Sequence, residues 1–245
     1  MKRTILLYLI ALSVTHIVKS QTWIDELDSV MTVIQEDELF HGQVLIAEKG
    51  KPLFHTAYGK SPKGDLITLN TPLAVASITK SFTAVAVSIL KDKGLLSLDD
   101  LLTQYFPKLP YEGVTIRHLL NMTSGLPRFL PQLISHGDTT RQLTNQDVIE
   151  LIANYQPRPI STPGTAFFYN NDNYLLLASV IEIASGNPYP EFMKKNIFEP
   201  LGMWSSHVKE PKKLDSDQVN TSNFLATYGE GEIFSTAQDL FLFDQ

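Results

Sequence analysis

The sequence predicts an α+β protein in which helices outnumber strands. Three observations carry this: one clear β-hairpin, seven or eight segments with helical periodicity, and a composition that is 43% hydrophobic and 19% charged over 245 residues. Such a chain buries a sizeable core, as one large domain or two small ones.

The first element is an address. Lys2 and Arg3 precede an apolar run from Ile5 to Val18, interrupted only by Ser13, Thr15 and His16, and Val18-Lys19-Ser20 closes it on a small residue. The run is too short for the ~20 residues that span a bilayer and matches a secretory signal peptide over residues 1–20. Its removal takes away Lys2, Arg3 and Lys19 and no acid, so residues 21–245 carry 17 bases against 26 acids, a charge of −9. An exported, acidic chain with no cysteine suits the periplasm or the medium, and no stable membrane span is expected after cleavage. The absence of cysteine excludes disulfides, thiolate zinc sites and cysteine nucleophiles, and the scattered basic residues argue against nucleic acid as a partner.

Trp23, Ile24, Leu27, Val30, Met31 and Ile34 recur at three- and four-residue steps, which predicts a helix over about 22–37. Gly42–Ala47 and Leu53–Tyr58 read as strands joined by a turn at Lys49-Gly50-Lys51-Pro52, and residues 59–72 as a loop. A long helix follows from Ser77 to Lys93, stopped by Gly94. Ser97 with Asp100 reads as a capping box opening a short helix that ends at Pro107. Thr115 opens another, ended by Ser124-Gly125, and Thr144 with Asp147 caps a helix over 145–155. Leu175–Ser185 is an apolar helix stopped by Gly186, Pro190–Phe198 is a further helix, and Ser235 caps a last one that still runs at Gln245. A lone two-stranded hairpin is marginal and needs more strands or a helix layer over its apolar face. Since the chain stops without a C-cap, further structure is expected beyond it.

Ser77-Ile78-Thr79-Lys80 lies where the loop enters the long helix. A spacing of three places both side chains on one helical face, and the helix start favours a neutral amine and negative charge on oxygen. That suits a serine nucleophile with a lysine base. Spacing alone does not decide, because Ser88/Lys91 and Ser206/Lys209 repeat it; only Ser77 sits at a helix start. Tyr169-Asn170-Asn171 precedes the apolar helix. Its tyrosine is either a proton shuttle or a loop residue, and Asn171 either holds substrate or caps the helix. His118 reads as a helix residue with a packing or hydrogen-bonding role, and without Gly-x-Ser-x-Gly a Ser-His-Asp site is disfavoured. Asn121 and Asn220 fit a glycosylation pattern that matters only in a eukaryotic secretory route.

Ala76–Ala84 resembles the active-serine segment of the family that holds class C β-lactamases, D-Ala-D-Ala carboxypeptidases and related esterases. The resemblance continues in order through Gly94–Asp100, Ile116–Leu120, Thr123–Pro127, Pro163-Gly164, Tyr169–Asn171, Phe198–Met203 and Ser235–Leu240. It implies a β-lactamase/transpeptidase-like fold: an antiparallel sheet flanked by helices plus an all-helical domain, with a catalytic cleft between them. It further implies that Ser77 forms an acyl-enzyme, that Lys80 and Tyr169 transfer protons, and that Asn171 positions substrate. Neither metal nor organic cofactor is expected, and the substrate is a small molecule or peptide with a reactive amide or ester: a β-lactam, a D-amino-acid peptide or an ester. Two departures stand out. Neither Lys-Thr/Ser-Gly nor His-x-Gly occurs after Asn171, so residues 21–245 read as a hydrolase domain incomplete at its C-terminus, lacking the last sheet strands. Glu232 occupies a position where that family more often has glycine. The rival reading is a truncated, non-catalytic remnant that at most binds cell-wall-like peptides.

Overall fold

A computed structural model describes residues 23–129, 142–210 and 226–245. The signal peptide expected over 1–20 lies outside the described residues, as does Asn220. The chain forms two compact units, one from residues up to Leu73 together with Thr236–Gln245, the other from Ala74–Ser235.

In the first unit helix α1 spans 23–36, close to the expected limits. Strands β1 (Gly42–Glu48) and β2 (Lys51–Tyr58) pair antiparallel, with a register shift at Ile46/Ala47. The turn is tighter than the sequence suggested, just Lys49-Gly50 at φ 51° and 73°. Two left-handed residues give a turn whose twist matches the strands it joins, so Lys51 and Pro52 are free to extend β2. The Tyr58 hydroxyl donates to Asp28 Oδ1 at 2.6 Å, fastening the hairpin to α1. Burial and the Asp28 carboxylate push that phenol up to about 12. The last helix packs on β1, and its Ala237 N–H donates to Gln43 Oε1 at 2.7 Å.

The second unit begins at Ala74, the second residue of the short strand β3 (Leu73–Ala74), and holds most of the helices. A 3-10 turn over Ala76–Ile78 leads into α2 (Thr79–Asp92), so Ser77 sits one turn before the α-helix proper. Ser97 and Asp100 hydrogen-bond as expected, but they close a turn; helix α3 (Leu102–Tyr105) starts only after Leu101. Thr115 caps α4 (Ile116–Leu120) in a box whose partner is His118, the hydrogen-bonding role expected of that histidine. This helix ends at Asn121, short of Ser124-Gly125. Thr144 and Asp147 box the start of α5 (Asn145–Tyr155) as expected.

Helix α6 (Asp172–Ser185) is the core of this unit, buried on nearly every face from Asn173 to Ile181, and it ends at left-handed Gly186. It packs on α2, α4 and α5. The helix expected over Pro190–Phe198 is a composite: α7 (Tyr189–Met193), a π turn over Lys194–Phe198, and a final turn over Glu199–Leu201. Strands β4 (His207–Val208) and β5 (Ile233–Ser235) add a short sheet of order β3-β5-β4 that periodicity could not reveal in runs this short. Ser235 therefore ends a strand. The cap of α8 (Ala237–Asp244) is Thr236, whose side chain accepts from Asp239 N–H.

Candidate active site

Local chemistry places the serine first. Ala76 has φ +46°, a left-handed backbone that an alanine adopts only at a cost, and it turns the chain sharply so that Ser77 stands exposed at the head of α2. Three residues on, Lys80 is 6% exposed, and its Nζ donates to Ser77 Oγ at 3.1 Å. The expected pair therefore exists as a direct contact. Lys80 Nζ also donates to the backbone carbonyl of Glu230 at 2.8 Å, and it lies 5.2 Å from the centre of the Tyr169 ring and 5.9 Å from that of Tyr174. Aromatic faces attract a cation weakly while excluding water from it.

Tyr169 arrives from a different part of the chain. Its hydroxyl donates to Ser77 Oγ at 2.9 Å, so the serine oxygen accepts from both Tyr169 and Lys80. Hydrogen bonding with Ser77 and then Lys80 holds the Tyr169 phenol below the usual range for tyrosine. The segment bearing it is anchored by a backbone ladder to the turn after α4: Ile160 N–H to Gly125 O, Gly164 N–H to Thr123 O, and Phe168 N–H to Met122 O, at 2.8 to 2.9 Å. Asn170, buried, donates to the carbonyls of Leu126 and Pro127 at 3.2 and 3.0 Å. This explains why the Thr123–Pro127 and Tyr169–Asn171 motifs occur together: one is the bed on which the other lies. Arg117 does similar work, pairing with both Asp99 oxygens at 3.0 and 3.2 Å and so tying α4 to the Ser97–Asp100 turn.

Asn171 is placed differently from Ser77, Lys80 and Tyr169. It is exposed at the N-cap of α6 with helical φ and ψ and no side-chain capping bond, which leaves its amide available to an incoming group. The two Ser-x-x-Lys siblings engage other partners. Ser88 Oγ donates to Ala84 O, and Lys91 reaches Asp92; Ser206 hydrogen-bonds Ser235.

Sequence reasoning missed the Gly229–Glu232 loop as a member of the site. Glu230 gives its carbonyl to Lys80, while its carboxyl is pushed up to about 7, chiefly by burial and then by the Asp172 charge. Burial likewise pushes the Asp172 carboxyl up to about 6, although it accepts from Phe129 N–H at 2.9 Å. The signal available was the unusual Glu232, whose carboxylate accepts from the N–H groups of Gly229, Glu230 and Gly231 at 2.6, 3.2 and 2.9 Å. Among the described residues no cluster of three or more His, Asp or Glu side chains is arranged to hold a metal ion.

The site therefore consists of a serine that accepts from a lysine and a tyrosine at the head of a helix, in a mixed α+β fold. The chain belongs to the β-lactamase family, whose model matches residues 32–244, and it has the β-lactamase/transpeptidase-like fold. It is 33% identical over 246 aligned positions to penicillin-binding protein 4* of Bacillus subtilis (strain 168), which covers 89% of this chain and 54% of that protein. It is 28% identical over 224 positions to the D-alanyl-D-alanine-carboxypeptidase/endopeptidase AmpH of Escherichia coli (strain K12), covering 83% and 58% of the two. Among solved structures, a penicillin binding protein from Bacillus halodurans superposes with a TM-score of 0.72 at 28% identity, over 86% of this chain and 70% of that one. A D-amino acid amidase from Ochrobactrum anthropi SV3 superposes with a TM-score of 0.62 at 26% identity, over 82% and 61%. The chain spans about half the length of the curated relatives it matches. No helix among the described residues is long and apolar enough to cross a membrane.

Proposed function

We propose that this chain carries the acylating half of a secreted or periplasmic serine hydrolase that works by acyl transfer. The observation that carries the reading is the convergence of Lys80 Nζ and Tyr169 Oη on Ser77 Oγ, at 3.1 and 2.9 Å, with Tyr169 lying 92 residues from Ser77 in the chain. Ser77 Oγ attacks the carbonyl carbon of an amide or ester while its proton passes to the Lys80 amine. The carbonyl π-bond opens to an oxyanion, for which the Ser77 backbone N–H supplies one donor, an interaction worth about 3 kcal/mol per donor. Collapse of the tetrahedral intermediate breaks the bond to the leaving group, which takes a proton through Tyr169, and leaves an ester on Ser77. Water then attacks that ester, giving its proton to Tyr169, and Ser77 regains its own from Lys80. Asn171, exposed beside Tyr169, holds the substrate amide.

Substrates of this reading are β-lactams, D-amino-acid peptides or esters. The names of the relatives, which include a D-Ala-D-Ala carboxypeptidase and a D-amino acid amidase, support that set. The test is covalent. Incubation with benzylpenicillin or a fluorophosphonate should add one adduct mass, mapped to Ser77, and Ser77→Ala should lose it. A folded protein that takes no adduct from either reagent sinks the reading.

A further inference from the structure

We propose that Glu232 is a positioning residue for Lys80, acting through the peptide bond between Glu230 and Gly231. Three consecutive peptides, from Tyr228 to Gly231, present every N–H to one carboxylate and every C=O to a side chain of the helical core. The N–H groups of Gly229, Glu230 and Gly231 reach the Glu232 oxygens at 2.6, 3.2 and 2.9 Å. On the opposite edge, the carbonyl of Tyr228 accepts from Asn145 Nδ2 at 3.3 Å, that of Gly229 from Thr83 Oγ1 at 2.8 Å, and that of Glu230 from Lys80 Nζ at 2.8 Å.

In a trans peptide the N–H and C=O point opposite ways, so a group fixing one aims the other. Glu232 grips the Glu230–Gly231 peptide by its N–H and thereby aims its carbonyl at Lys80. The carboxylate does more than orient. A charged acceptor on the N–H polarises the peptide and makes its carbonyl oxygen a better acceptor for an ammonium. Lys80 becomes an ammonium at the moment it takes the proton of Ser77, and the carbonyl that then receives it is the one Glu232 aims, without touching substrate. A rack of amides around an anion is a common backbone device; here the carboxyl is the chain's own, raised above its ordinary value by burial and drawn back by the N–H groups it accepts from.

The inference rests on the reading of Ser77 and Lys80 as the acylating pair, and one experiment separates the two. The rate of Ser77 adduct formation with a fluorophosphonate is followed by intact mass from pH 5 to 10 for the natural protein, Glu232→Gln and Glu232→Asp. Loss of the carboxylate weakens the carbonyl that accepts from Nζ, so Glu232→Gln should move the acid limb of the profile down by about half to one pH unit. Its plateau rate should fall roughly tenfold through lost orientation. Glu232→Asp keeps the charge but draws it back by a methylene, and should move the limb the same way by less; it carries the test should Glu232→Gln fail to fold. The titratable groups facing Lys80 are Tyr169, Tyr174 and the Glu230 carboxyl, and those facing Glu232 are Tyr189, Tyr228 and Glu230, with Glu182 beyond Tyr189. Glu230→Gln leaves the backbone carbonyl in place, so the same limb shift should appear on adding Glu232→Gln in that background. A plateau that falls with the limb unmoved, or a shift that vanishes once Glu230 is glutamine, overturns the role of Glu232. A natural protein that forms no adduct at any pH overturns the hydrolase reading, and this inference with it.

Discussion

Gly125→Ala is expected to destabilise the protein by about 2–5 kcal/mol and to slow acylation of Ser77 from a distance. Gly125 has φ +72°, where a side chain costs roughly 1–2 kcal/mol, and an added Cβ would clash with the Ser161 carbonyl oxygen and meet its carbon at 2.9 Å. Both contacts are with backbone, so the 160–161 segment must move by most of an ångström, an overpacking cost of about 1–3 kcal/mol. Gly186→Ala separates the two contributions. It has nearly the same φ, +69°, with nothing within 4 Å of the built Cβ, so it should show the backbone cost alone. The displaced segment leads to Tyr169 through the Gly164–Thr123 and Phe168–Met122 bonds, and a misplacement of ~1 Å at a proton-transfer group can cost on the order of a hundredfold. Urea midpoints at a common m-value give the two stabilities, and the Ser77 adduct time course gives the rate. Equal losses for the two variants would refute the contact argument. A full acylation rate in Gly125→Ala would refute the mechanical link to Tyr169.

Three further outcomes follow from the geometry. Tyr169→Phe removes the hydroxyl 2.9 Å from Ser77 Oγ and should slow adduct turnover by roughly 10²–10⁴-fold while leaving the thermal midpoint nearly unchanged, because the side chain is 44% exposed; an undiminished rate removes Tyr169 from the mechanism. Asp172 and Glu230 titrate near 6 and 7 in the folded chain, against 3.8 and 4.5 ordinarily, so the native state holds extra protons between about pH 4 and 7. Their contribution to stability is full below that window and is lost as pH rises through it, so a scan of urea midpoints should show Asp172→Asn with a flatter acid-side dependence than the natural protein. Thr144→Ala breaks the capping box of α5 and should cost about 1 kcal/mol, read from the same midpoints, with no change in adduct formation.

The elements legible in the sequence were those whose signal is local. Thr144 and Asp147 name their helix because a capping box is complete within four residues, and Gly186 ends α6 because its left-handed φ is a local demand. The errors share one cause. Ser97 with Asp100 has the same chemistry as a capping box, yet it closes a turn, because the residues that follow are drawn into place by Ile116 and Arg117, whose N–H groups donate to Asp100 O and Leu98 O. Ser235 lost the cap to Thr236 because it is the end of β5, a strand of three residues that exists only through its pairing with β3 and β4. In the site, Ser77, Lys80 and Tyr169 were readable as side chains with a chemistry of their own. The carbonyl of Glu230 was not, since a backbone acceptor has no letter, and it lies 150 residues from the lysine it binds.

That backbone contact answers why one Ser-x-x-Lys among three becomes a hydrogen-bonded pair. Spacing is identical in all of them, and helical geometry alone brings any such serine within reach of its lysine. Lys91 is solvated on the face of α2 and turns to Asp92, with Ser88 returning its proton to the helix. Lys80 lies at the other end of α2, where that helix packs on α6, and is sealed there by the rings of Tyr169 and Tyr174. Water removed from an amine must be replaced by acceptors or the group is stranded. The acceptors are Ser77 Oγ and Glu230 O, so burial itself directs Nζ to the serine. Thr79 and Thr83 hold the same loop through Ile233 N–H and Gly229 O, which means α2 grips the 229–233 segment at three points around the lysine. The Ser77–Lys80 pair is thus a property of the loop that closes over it, and Ser88/Lys91, on the same helix without such a loop, is only a helix surface.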